Sequence, residues 1–176
     1  NENIERKKGK AFKKVFFFFY GKKVEKRKEW WYTSFKNWQY QYIIRNTKGG
    51  ATMGYVKWSY DTLNTFCHDV FRKFGFNEEE TNIIKDVLLT ADLYGIESHG
   101  MQRMVRYDKG IEKGTIHPDA KPEVVFETPV SAVIDGHDGM GQLISHFAME
   151  KAIEKAKKTG VGFVSVRNSN HFGIAG

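Results

Sequence analysis

The first 52 residues contain no leucine, which marks them off from residues 53–176. Leucine is among the commonest residues of globular domains, so a gap of this length sets the stretch apart from a folded unit. The same stretch lacks Asp, Pro, His, Cys and Met, yet holds three of the four Trp and the run Phe16-Phe17-Phe18-Phe19-Tyr20. Charge divides at the same place. Residues 1–52 carry 14 Lys/Arg against 4 Glu, whereas residues 53–176 carry 14 Lys/Arg against 17 Asp/Glu. The overall charge of +7 therefore comes from the first segment alone and says nothing about nucleic-acid binding by the rest.

Residues 1–52 read as a translated upstream region. Lys48-Gly49-Gly50 can be encoded by AAAGGAGG, a ribosome-binding sequence, shortly before Met53, the first methionine in the chain. On this reading the native protein begins at Met53 and the first 52 residues lie outside the fold. The competing reading is a basic arm that binds nucleic acid or an anionic membrane through Lys with interleaved aromatics. The segment does not fit a signal peptide, since its apolar run is short and no small-residue cleavage site comes after it. No run reaches transmembrane length. The single Cys67 excludes an internal disulfide framework and suits a cytoplasmic setting. Its helical spacing from Leu63 and Val70 makes it a core filler.

After Met53 the periodicity becomes regular. Leu63, Phe66, Val70 and Phe74 recur at three and four, which predicts a helix over residues 60–74. Asn77 with Glu80 three residues later predicts a capped start to a second helix, with Ile83, Ile84, Val87, Leu88 and Ala91 inward. Ser98-His99-Gly100 turns into a third helix with Met104, Tyr107 and Ile111 as its inner stripe. These elements form a helical domain over residues 53–115. From residue 116 the texture changes. Pro118, Pro122 and Pro129 punctuate two strands, at residues 123–127 and 131–135. A glycine-rich turn at residues 136–141 opens a helix over residues 142–159, with Leu143, Phe147, Met149 or Ala152, Ile153 and Ala156 as its stripe. A β-branched strand comes next at residues 161–166, giving an α/β unit.

Three places could carry chemistry. The turn Gly136-His137-Asp138-Gly139-Met140-Gly141 lies where a dinucleotide loop would lie, but its G-x-x-G-x-G spacing reverses the dinucleotide fingerprint. Glycines that permit a tight turn and close helix packing are the plainer account. Ser98, His99 and Arg103 place an imidazole and a cationic fork together, suited to a carboxylate and a neighbouring oxygen. From spacing only, a capping Ser-His and a solvent-facing Arg fit equally well. His171, in Asn168-Ser169-Asn170-His171-Phe172-Gly173 beyond a buried strand, is placed to face a cleft and exchange a proton near neutrality. A structural histidine is the equal alternative. No His/Cys/Asp/Glu cluster suggests a metal.

Taken together and in order, Gly95-Ile96-Glu97-Ser98-His99-Gly100 with Arg103, Asp135-Gly136-His137-Asp138-Gly139-Met140-Gly141, and Asn168-Ser169-Asn170-His171-Phe172-Gly173 resemble the malate/L-lactate dehydrogenase family of the non-Rossmann type. That family also contains sulfolactate, ureidoglycolate and cyclic-imino-acid oxidoreductases. The resemblance runs from about Ser59 to Gly176. It implies an α/β fold of α+β character: a helical unit followed by the start of a mixed-sheet nicotinamide domain over residues 116–176. It implies hydride transfer between NAD or NADP and a small 2-hydroxy or 2-imino acid, in a cytoplasmic homodimer without nucleic-acid or membrane partners. His171 then matches the catalytic acid/base, Ser98 and His99 line the substrate pocket, and Arg103 matches the carboxylate partner. The main cofactor-binding segments are expected beyond Gly176, so residues 1–176 are expected to be an N-terminal fragment without activity of its own. A basic-arm binding module and a non-catalytic truncated protein are the alternatives.

Overall fold

A computed structural model describes residues 15–20, 39–43 and 55–174. They divide into two compact units, one comprising Asp119–Phe172 with a strand from the first segment, the other running up to Pro118 and rejoining the chain at Gly173. Most of residues 1–52 lies outside the described residues. Two pieces of it are strands, β1 (Val15–Tyr20) and β2 (Gln39–Ile43).

The helical unit begins with β3 (Tyr55–Ser59), antiparallel to β2, and continues into α1 (Tyr60–Lys73) and α2 (Glu78–Leu93). Ser59 caps α1 by accepting from the Thr62 amide at 3.2 Å. The capping box expected at α2 forms in both directions: the Glu80 amide donates to Asn77 Oδ1 at 2.9 Å, and the Asn77 amide donates to Glu80 Oε2 at 3.0 Å. Both caps satisfy amides that a helix leaves open at its first turn. The third helix, α3 (Met104–Glu112), buries Met104 and Tyr107.

The buried stripe of α1 differs from the expected one. Leu63, Cys67 and Phe71 face inward, while Phe66 is 55% exposed. Ring packing decides the rotation. Phe71 lies edge-on to Phe74 and Phe76 at 5.7 and 6.1 Å and tilts against Tyr107 at 6.4 Å. Turning Phe71 inward gathers four rings from three segments, which the alternative stripe through Phe66 would forgo. Aromatic pairs of this geometry are worth about 0.5–1.5 kcal/mol beyond area burial.

The second unit is a mixed sheet in the order β1-β6-β5-β4 with one helix across it. Its elements are β4 (Glu123–Glu127), β5 (Ser131–Gly139), α4 (Gly141–Thr159) and β6 (Val161–Ser169). β4 and β5 form an antiparallel hairpin, β5 and β6 run parallel across α4, and β1 pairs antiparallel with β6. Buried Lys155 of α4 braces the hairpin, donating to Glu127 Oε1 at 2.8 Å and the Thr128 carbonyl at 2.7 Å.

Here the inward face is the expected one only in part: Ala152 and Ala156 are buried as expected, but Ile144 and Ala148 take the inward places expected of Leu143 and Phe147. Ile144, Ala148 and Ala152 of α4 pack with Ala132, Ile134, Val164 and Val166 of the sheet. Leu143, Phe147, Met149 and Ile153 flank this line and are half-buried. Small side chains let the helix settle close to the strands. A Cβ on Gly162 would lie 2.1 Å from the Ala152 carbonyl oxygen, so the approach requires glycine. Two strand ends also run further than the sequence suggests: β5 extends through the glycine-rich stretch to Gly139 with a register shift, and β6 extends to Ser169. No helix among the described residues is long and apolar enough to cross a membrane.

This packing leads to two expected outcomes. Gly162→Ala should lower stability by about 1–3 kcal/mol through overpacking, read from the midpoint of urea unfolding; an unchanged midpoint would contradict the close contact. Burial pushes the Cys67 thiol up to about 12, so the folded chain should resist iodoacetamide at mildly alkaline pH and react once unfolded in denaturant. Labelling of the folded chain at a free-thiol rate would contradict that environment.

Candidate active site

In the sheet unit the polar organisation centres on Asp135, a carboxylate only 6% exposed. It accepts from the His137 amide at 3.0 Å, from Arg167 Nε at 2.8 Å, and from Asn168 Nδ2 at 3.1 and 3.0 Å on its two oxygens. Burial raises its pKa, but the His137 amide, Asn168 and Arg167 outweigh that and hold it below the ordinary carboxylate range. The donors come from β5 itself and from the end of β6, so one buried charge locks two strand ends together. The chain bends sharply at both ends, with His137, Asp138 and Asn168 at positive φ of 48°, 56° and 51°. His137 also reaches Glu123 on β4 through Nε2 at 3.0 Å.

His171 lies two residues beyond β6, in a segment tied to these bends. Asn170 Nδ2 donates to the Asp138 and Gly139 carbonyls at 2.8 and 3.0 Å. The His171 carbonyl presses on the first residue of α4: a Cβ on Gly141 would lie 2.2 Å from it. The His171 ring is half-buried, with its Nε2 atom enclosed. The glycines of residues 136–141 therefore serve packing. A Cβ on Gly136 would meet the Asn168 carbonyl at 2.8 Å, and Gly141 is covered by Asn170 and His171. This stretch forms no open cradle for a phosphate.

Ser98, His99 and Arg103 lie in the helical unit, on two consecutive 3-10 turns, Glu97–His99 and Met101–Arg103. The structure brings these three together. Ser98 Oγ and His99 Nδ1 are 2.9 Å apart, and Arg103 Nε donates to the Ser98 carbonyl. That bond fixes the guanidinium plane, and the two Nη groups have no hydrogen-bond or ion-pair partner among the described residues. Such a fork suits a carboxylate. Asp92, near the end of α2, holds the turns by accepting from the Met101 amide at 2.9 Å. Its carboxylate occupies the space beside Gly100, where a Cβ would come within 1.8 Å of Asp92 Oδ1.

Sequence reasoning missed Asp92 and Asp135. Asp135 opens the motif Asp135–Gly141, but neither acid carries a local sign of its bracing contacts, whose partners lie 9 and up to 33 residues away. Among the described residues no group of three or more His, Cys, Asp or Glu could hold a metal.

Comparison with known proteins gives this arrangement a context. The malate/L-lactate dehydrogenase family model matches residues 58–176. A malate dehydrogenase of Pyrococcus abyssi is 48% identical over 129 residues, covering 73% of this chain and 36% of that protein. An L-sulfolactate dehydrogenase of Methanocaldococcus jannaschii is 50% identical over 108 residues, covering 61% of this chain and 31% of that protein. The solved malate dehydrogenase of Pyrococcus horikoshii superimposes with a TM-score of 0.68 at 44% identity, over 77% of this chain and 36% of that one. The chain thus spans about a third of the length of the relatives it matches. By its match over residues 58–176, and by its likeness in sequence and fold to these enzymes, this chain belongs to the malate/L-lactate dehydrogenase family.

Proposed function

We propose that the protein to which this chain belongs oxidises a small 2-hydroxy acid, such as malate, lactate or sulfolactate, with NAD or NADP as hydride acceptor. The observation that carries the reading is the presence of both a tethered histidine, His171, and an oriented guanidinium, Arg103, in a chain of this family. Alcohol oxidation must remove the hydroxyl proton, and a histidine can accept it at working pH. A 2-hydroxy acid also carries a carboxylate, for which the Arg103 fork supplies a bidentate partner held in one plane by its bond to Ser98. Ser98 and His99, joined to each other, add hydroxyl and imidazole groups for the substrate's oxygens. The names of the relatives, malate and sulfolactate dehydrogenases, support this substrate class.

NAD or NADP is proposed from family membership. With the glycines of residues 136–141 packed against the chain's own backbone, that stretch is not assigned to the cofactor's phosphates, and the residues that hold the cofactor are left unassigned. The reading extends to a homodimer in the cytoplasm, again from the family resemblance.

The test uses a hybrid in which residues 58–176 replace the matching part of the Pyrococcus horikoshii enzyme. The hybrid should oxidise malate or sulfolactate. His171→Asn should lower kcat by about 10²–10⁴-fold, the usual contribution of general acid–base catalysis. Arg103→Gln should act mainly on KM if the guanidinium holds substrate and transition state alike, with Arg103→Lys restoring only part of the loss. A His171→Asn hybrid with unchanged kcat, or an Arg103→Gln hybrid with unchanged kcat/KM, would overturn the corresponding role.

A further inference from the structure

We propose that Asp135 is a positioning residue that sets the His171 segment, acting through Asn168. The proposal rests on the reading of His171 as the acid/base. Asn168, the last but one residue of β6, sits at φ 51°, in the left-handed region, so the strand kinks there before reaching His171. Asparagine tolerates that region better than most residues but does not enforce it. Enforcement comes from Asp135, whose two oxygens both accept from Asn168 Nδ2, while Arg167 Nε and the His137 amide fix the carboxylate itself. Downstream, Asn170 is fastened to the Asp138 and Gly139 carbonyls, and His171 is seated by its carbonyl against Gly141. The residues from Asn168 to His171 are thereby held along their length, and the Asp135 contact brings a charged group to their start.

A carboxylate buried in a sheet could equally do no more than hold the strands together, and the two roles differ in what they leave unchanged. Strand registry in this unit also rests on the β5–β6 ladder, which uses Asp135 through its backbone, and on the α4 packing, neither of which needs the Asp135 carboxylate. Losing the contact should therefore release His171 and leave the rest of the unit in place.

The experiment is long-range proton–nitrogen correlation NMR of the histidine rings in the ¹⁵N-labelled 176-residue chain. The six histidines would be assigned by single His→Gln changes. Two variants are compared, Asp135→Asn and Asn168→Gly; the second removes the Nδ2 donor while keeping a residue at ease with positive φ. In both, the His171 ring signals should shift and split into more than one form, while those of His146 on α4 and His68 on α1 stay where they were. Unmoved His171 signals in either folded variant would overturn the proposal. If Asp135→Asn loses its helical circular dichroism, Asn168→Gly alone decides. If Asn168→Gly also unfolds, the contact serves folding and the proposal is wrong. Because the readout is ring position, a failure here is separable from a failure of the His171 reading, which the hybrid's kcat tests.

Discussion

A single desolvated carboxylate organises the end of the sheet from which the candidate acid/base projects. Burying a charge is costly unless donors replace the lost water, and Asp135 recovers that cost with an amide, a guanidinium and a side-chain amide. Those donors reach it only if β5 and β6 run parallel and end at the same level. The parallel pairing in turn requires a crossover, and α4 supplies it with a face of alanines narrow enough to lie against Gly162. Sheet, crossover and histidine segment are thus links in one chain of dependence.

The helical unit solves a similar problem differently. It places Ser98, His99 and Arg103 on two short 3-10 turns, which are weak structures by themselves. Asp92 compensates by capping the second turn and filling the space beside Gly100. In both units an acid with no direct chemical task holds the backbone beneath residues proposed to have one. Such supporting contacts often matter as much as the working groups, because a misplacement of about 1 Å can cost about 10²-fold in rate.

Much of this was legible in the sequence where the signal is local. The capping box of Asn77 and Glu80, the order of the helices and the crossover from strand to helix to strand all arise from short-range spacing. Which side of a helix is buried was legible in part: Ile84, Leu88 and Ala91 of α2, Met104 and Tyr107 of α3, and Ala152 and Ala156 of α4 are buried as expected, whereas the faces of α1 and the start of α4 are turned. Phe71 displaces Phe66, and Ile144 displaces Leu143, because the volumes of residues on other elements decide the rotation. The extension of β5 through residues 136–139 was also hidden, since glycines and positive φ read locally as a turn. The candidate residues His171, Ser98, His99 and Arg103 were visible as motifs, whereas their supports were not. Asp135 and Asp92 gain their meaning only from partners distant in the chain.

The most direct test of the account is a crystal structure of the hybrid enzyme with a 2-oxo acid analogue bound. A ring nitrogen of His171 should lie within about 2.6–3.2 Å of the analogue's 2-oxygen, the reach that proton transfer requires. An analogue bound with its 2-oxygen on another titratable group, and His171 turned away from it, would contradict the account.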